Sequence, residues 1–185
     1  MTVTWIDLFG FSFAGAMIVL MAIGIVLSAI IPTLDKWNKR YFTTLFSLLL
    51  LCAVFCFFAL VAWYDPTKAT AAKIFYLFED IFLSTAIFMP TLIILHSSGD
   101  SFKHSSLFKI VLAFMGAYLG IVIVAQFSEV FYYVTPDNKF FRGTLWALMV
   151  IPLVAILLAN VVAVIRRRKR LAQKYCIRRK NYYAV

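Results

Sequence analysis

The sequence predicts an all-α membrane protein, a five transmembrane helix bundle with its amino terminus outside and its carboxyl terminus cytoplasmic. Three observations carry that expectation. Of 185 residues, 64% are apolar and 14% charged, and mean hydropathy is +0.93; a soluble domain runs nearer ~45–50% apolar and ~25% charged. The apolar residues gather into five long runs, and about 20 in succession cross a bilayer. The runs suit helices, because barrel strands would be polar at every second position. Lysine and arginine also concentrate in alternate loops, which orients the chain.

The first run, Leu8 to Leu34, lies between Asp7 and Asp35. No basic residue precedes it, and it exceeds the apolar core of a signal peptide, about 7–15 residues, so it reads as a retained span ending near Pro32. The second run, Tyr41 to Tyr64, is bounded by Lys39-Arg40 and Asp65-Pro66. The third, about Ala72 to His96, carries Glu79 and Asp80 in its first half. The fourth is Ile110 to Ser128. The fifth, Gly143 to Ile165, is stopped by Arg166-Arg167-Arg168-Lys169-Arg170. The expected organisation is a transmembrane domain over 1–165, with spans at about 8–32, 42–64, 72–96, 109–128 and 144–165, then a basic cytoplasmic tail over 166–185.

With the amino terminus outside, Lys36, Lys39, Arg40, Lys103, Lys109 and the nine basic residues of the tail fall inside. Lys68, Lys73, Lys139 and Arg142 fall outside. Fourteen against four satisfies the positive-inside rule, and the reverse topology would violate it. Trp5, Trp63, Tyr64, Tyr132, Tyr133 and Trp146 cluster at the expected outer ends, where amphipathic rings settle. The five runs show no internal repeat of the kind many transporters carry.

The net charge of +10 would suggest nucleic acid in a soluble domain. Here half of the basic residues lie between Arg166 and Lys180, directly after a span. The expected partners are therefore the lipid bilayer and, at Arg166, Arg167, Arg168, Lys169 and Arg170, its anionic lipids, with no nucleic acid. Cys52 and Cys56 stand four apart in an apolar run and read as small packing residues. Cys176, beside Arg178 and Arg179, reads as a cytosolic thiol. No cysteine–histidine spacing supports a metal, and no cofactor is expected.

Acids inside a membrane are functional candidates, since an Asp at a helix centre costs about 2.5–3.5 kcal/mol on insertion scales. If the third span starts near Ala72, Glu79 and Asp80 lie about 10–12 Å below its outer end. If it starts at Ile81, the favoured frame, both lie in the outer interface. Their functional reading is an outward-open site for a cation or small ligand, although adjacent residues sit about 100° apart and cannot share one pocket squarely. Asn160, deep in the fifth run, reads as interhelical glue. Gly116-x-x-x-Gly120 and Gly10-x-x-x-Ala14 permit close helix approach. Pro90 and Pro152 would bend or gate their helices. His96 and His104 are expected in the loop after the third span. No nucleophile, base or metal set is present at catalytic spacing, so no enzymatic activity is expected and no residue is assigned as catalytic.

Phe131 to Gly143 is the most distinctive polar segment. Pro136-Asp137-Asn138 is turn chemistry, and the flanking Phe-Tyr-Tyr and Phe-Phe-Arg-Gly suit two short strands of a hairpin. The run Phe131 to Trp146 resembles the amino-terminal membrane sensor region of multi-span signalling proteins of Firmicutes. In that group an aromatic stretch, Asp-x-Asn, an aromatic and Arg-Gly-Pro-Leu precede the fifth span. Asp137, Asn138, Phe141, Arg142, Gly143 and Leu145 match, and Thr144 replaces the proline. Pro90 and the basic end of the fifth span are similar too, and the resemblance covers roughly Lys39 to Tyr175.

The resemblance implies an input half. Members of that group continue into further spans and a histidine kinase or diguanylate cyclase output, which nothing before Val185 matches, so a truncated or standalone sensor is expected. The expected function is a plasma-membrane sensor module, non-catalytic in this chain, with ligand contacts from Tyr132, Tyr133, Asp137, Asn138 and Arg142, joined by Glu79 and Asp80. A cytoplasmic signalling partner and a homodimer go with it. The alternatives are a transport subunit using Glu79 and Asp80, or a non-catalytic scaffold whose tail docks a partner.

Overall fold

The computed structural model describes residues 5–63, 65–99, 101–135 and 140–182. Five helices are long and apolar enough to cross a membrane, so the chain is a multi-pass membrane protein. They are α1 (Trp5–Ile30), α2 (Lys36–Trp63), α3 (Ala69–Ser98), α4 (Ser106–Phe127) and α5 (Trp146–Tyr182). A 3-10 turn, Pro66–Lys68, joins α2 to α3, and a hairpin of β1 (Tyr132–Val134) and β2 (Phe140–Arg142) joins α4 to α5.

Helix ends follow capping chemistry rather than the edges of the apolar runs. α2 starts at Lys36, before its apolar run, because Asp35 accepts from the Asn38 amide and its carbonyl bonds Lys39. Ser105 caps α4 in the same way through the Phe108 amide. Asp65 bonds both the amide and the hydroxyl of Thr67 and pairs with Lys68 at 3.0 Å. The Thr67 hydroxyl is the leading cause that lowers the Asp65 carboxyl to about 2. α3 is one helix from Ala69, so the frame starting at Ile81 is corrected; nothing between the two residues breaks it. It runs to Ser98 and closes on Gly99 in the left-handed region, φ 69°. His96 is therefore in the last turn of α3, not in the following loop, and stacks on Trp37 with ring centroids 3.6 Å apart. α5 passes through the Arg166–Arg170 cluster instead of stopping there. Lys and Arg are good helix formers, and neither Gly nor Pro follows Pro152. Pro90 and Pro152 both sit inside unbroken helices.

The helices alternate in direction. Gly10 faces Leu60, and Ser28 bonds Thr43 across α1 and α2 at 2.9 Å. Trp37 meets His96 across α2 and α3, and Phe88 meets Phe108 across α3 and α4. α3 and α5 run parallel. The packing is a row rather than a ring: α1 lies on α2, α2 on α3, and α3 on α4 and α5, which also pack together. Many of the buried contact residues are small, among them Ala14, Ala53, Ala59, Ala62, Ala72, Ser84 and Ala86. Small residues allow backbones to approach where lipid removes the hydrophobic drive for association. Gly24 makes the closest approach in α1: a Cβ there would stand 2.8 Å from the Phe46 ring. Gly116 and Gly120 face open space, so that pair does not bring helices together in this chain.

The expected hairpin forms, with Tyr132 opposite Arg142 and Val134 opposite Phe140. It is sewn to the bundle by the Gly143 amide on the Phe131 carbonyl and the Leu145 amide on the Val130 carbonyl. A Cβ at Gly143 would stand 2.1 Å from the Val130 carbonyl oxygen. Beneath the hairpin lies a core of Tyr118, Val122, Ala125, Tyr132 and Met149.

Gly143→Ala is expected to destabilise the protein by about 1–3 kcal/mol, the range for overpacking against an unyielding neighbour. Gly116→Ala and Gly120→Ala are expected to be neutral or to stabilise by up to about 1 kcal/mol each, through helix propensity. Thermal unfolding in one detergent checks both directions.

Candidate functional site

α3 carries a polar line into the bundle. Asp80, Ser84 and Thr91, at i, i+4 and i+11, share one face of the helix. Ser84 and Thr91 are fully buried. Ser84 is satisfied within α3 by the Ile81 carbonyl. Asp80 and Thr91 reach neighbouring helices: the Tyr118 hydroxyl of α4 donates to Asp80 at 2.8 Å, and the Thr91 hydroxyl donates to the Asn160 side-chain oxygen of α5 at 2.9 Å. Glu79 turns the other way, toward the Cys56 thiol of α2. The two acids thus address different neighbours, as their angular separation requires.

Both acids lie about 15–17 Å along α3 from its start at Ala69. Neither forms an ion pair among the described residues. One Glu79 carboxylate oxygen and the Asn160 amide nitrogen are buried without a hydrogen-bond partner. Unsatisfied polar atoms at such depth are costly and mark places where a bound species or a second conformation would be stabilised. Cys52 is half-buried near the same acids, so Cys52 and Cys56 border this polar region as well as filling space. The described residues hold no group of three metal-ligating side chains.

The hairpin residues are placed differently from one another. Tyr132 is buried and its hydroxyl accepts from the Gln126 side chain, so it braces the hairpin against α4. Burial pushes its phenol above the usual range. Tyr133 stacks on Phe141 at 5.2 Å. Arg142 is exposed and lies 4.1 Å over the ring of Trp146, the first residue of α5. That is a cation–π contact, worth about 0.5–1 kcal/mol at an exposed site. Asp137 and Asn138 lie outside the described residues. Glu79 and Asp80 belong to the interior of α3 and not to the hairpin.

At the opposite end, two basic residues act as helix caps. Lys39 of α2 donates to the Ala29 carbonyl in the last turn of α1 at 3.3 Å. Arg167 of α5 bonds both the hydroxyl and the carbonyl of Ser97 in the last turn of α3. Cations at helix carboxyl ends complement the macrodipole and fill open carbonyls. Arg166 and Arg168 are exposed, and the side chains of Lys169 and Arg170 lie outside the described residues. Sequence reasoning missed Tyr118, Thr91, Cys56 and Arg167 as partners. A tyrosine in mid-run in α4 was a readable signal; the pairings were not, because they depend on helix order.

Comparison with protein-family models, curated proteins and solved structures finds no match to this chain.

A double-mutant cycle of Thr91→Val with Asn160→Leu is expected to give a coupling of about 0.6–1.7 kcal/mol in bicelle unfolding, the range for interhelical hydrogen bonds. Additive single effects would remove the Thr91–Asn160 bond from the account of how α5 is held.

Proposed function

We propose that this chain is the input module of a membrane signalling system, non-catalytic, residing in the plasma membrane with the hairpin outside and the tail in the cytoplasm. The observation that carries this reading is the continuity of α5. Its first residue, Trp146, lies under Arg142 of the hairpin, and the same helix continues for 37 residues, about 55 Å. Only Trp146–Arg168 of it is counted as a span. A displacement at the hairpin is thus delivered to the tail by one rigid element. The distribution of basic residues supports the orientation, and the likeness of Phe131–Trp146 to sensor regions supports the role of the hairpin.

In this reading a ligand engages Tyr133, Asp137, Asn138 or Arg142 and favours one position of α5, by no more than its difference in affinity for the two states. Tyr132 supports that surface from beneath. Thr91–Asn160 and Ser97–Arg167 hold α5 to α3 in one register, so α5 responds by tilting or turning about these contacts rather than by sliding.

The test places an environment-sensitive fluorophore on Cys176 in a Cys52→Ser, Cys56→Ser background. Arg142→Ala and Trp146→Ala are expected to shift its emission, with labelling possible only from the cytoplasmic side. An unchanged emission from folded variants would show that the hairpin merely joins two spans.

One observation favours a second reading, a cation-transport subunit: the buried, unpartnered oxygen of Glu79 beside Asp80. Labelled rubidium or sodium uptake by proteoliposomes would then be abolished by Glu79→Gln with Asp80→Asn. Uptake that survives both substitutions, or none in the native protein, excludes it.

A further inference from the structure

We infer that the projecting part of α5 is a docking stem for an acidic amphipathic helix of a partner protein, an inference that rests on α5 being the output of the module. The starting observation is how far α5 travels past its neighbours. Arg167 bonds the last turn of α3, so residue 167 marks the level at which α3 turns back toward α4. α5 continues from there to Tyr182, about 22 Å further. The α1–α2 and α3–α4 connections are short turns at that level, and no other described element follows α5 outward.

With α5 along the bilayer normal, anionic lipid does not reach the end of this stretch. Arg166 to Arg170 advance about 6 Å beyond the apolar run, comparable to the depth of a headgroup layer. The pull of a charged membrane surface decays over a Debye length, about 8 Å at physiological salt. Arg178, Arg179 and Lys180 stand about 12–15 Å beyond Arg170 along the helix. The basic segment is therefore divided: a proximal part next to the apolar run, with Arg167 committed to α3, and a distal part further along the helix.

The distal part has the pattern of a helix-pairing surface. Leu171, Tyr175, Arg178 and Tyr182 recur at steps of four, three and four, the rhythm of core positions in a two-helix seam. Lys174 and Arg179 fall on the positions that flank such a seam, where opposite charges select the partner. No acid occurs between Arg166 and Val185, so a second copy of the tail would meet like charge along its whole length. A partner helix with an apolar seam and acidic flanks meets complementary charge instead. Duplex nucleic acid would match the charge but makes no use of Leu171, Tyr175 and Tyr182 at seam spacing.

The test uses the full chain in nanodiscs and a three-heptad peptide with Leu at the core positions and Glu at the flanks, read by fluorescence anisotropy. The peptide is expected to bind, and about 30% phosphatidylserine in the disc changes its affinity less than about threefold, because the distal charges lie beyond the lipid field. Combined Lys174→Gln, Arg178→Gln, Arg179→Gln and Lys180→Gln is expected to weaken binding about tenfold or more, whereas Arg166→Gln with Arg168→Gln leaves it within about threefold. Loss of binding in the anionic discs would show a tail lying on lipid and overturn the inference. So would tighter binding to a DNA duplex of equal charge, or a tail-dependent dimer in place of peptide binding. The sensor reading fails separately: a peptide that binds while the Cys176 signal ignores the hairpin variants overturns that reading alone. A tail that responds to the hairpin but binds no acidic helix overturns this inference alone.

Discussion

The structure depends on one constraint: inside a bilayer a polar side chain has no water to bond and must find its partner within the protein, on its own helix or on another. α3 carries the side chains on which this constraint acts. Cys56 meets Glu79, Tyr118 meets Asp80, and Asn160 meets Thr91. These three contacts tie α2, α4 and α5 to one central helix. Arg167 adds a fourth at the end of α3. α1, joined through Ser28 and Thr43 to α2, stands outside this set. The row-like packing follows, with α3 as the element that three others share.

The same contacts divide the bundle by function. Near the hairpin, a packed core of Tyr118, Val122, Tyr132 and Met149 fixes where the cap sits, and Gly143 allows the backbone to lie directly on Val130. At mid-depth the polar groups hold α5 in register against α3. Beyond Arg167 α5 continues as helix to Tyr182. A helix that starts under the hairpin, is pinned in its middle and continues past its neighbours can carry orientation along its length.

The five spans were legible in the sequence because hydropathy reports transfer from water to lipid, and that transfer decides which segments cross. The hairpin was legible because Pro136-Asp137-Asn138 between aromatic runs is local turn chemistry. Helix limits were less so. Asp35, Ser105 and the Arg-rich continuation of α5 extend helices past the apolar runs, through capping and propensity that hydropathy does not measure. The fate of Gly116 and Gly120 was not legible, since a small-residue face announces what a helix permits and not which neighbour arrives. For the same reason Glu79 and Asp80 could be singled out as acids, but Cys56 and Tyr118 could not be named as their partners. Lys39 and Arg167 looked like topology signals; in the fold they also close the carboxyl ends of α1 and α3.

The central claim is that α5 is a single rigid rod from the hairpin to the tail, and a distance measurement tests it most directly. Spin labels at residues 148 and 173, in nanodiscs, are 25 residues apart on that helix. The account predicts a narrow distance distribution centred near about 38 Å, the length of an unbroken helix. A broad distribution, or one centred well below that value, would show that the helix breaks at the membrane face and would contradict it.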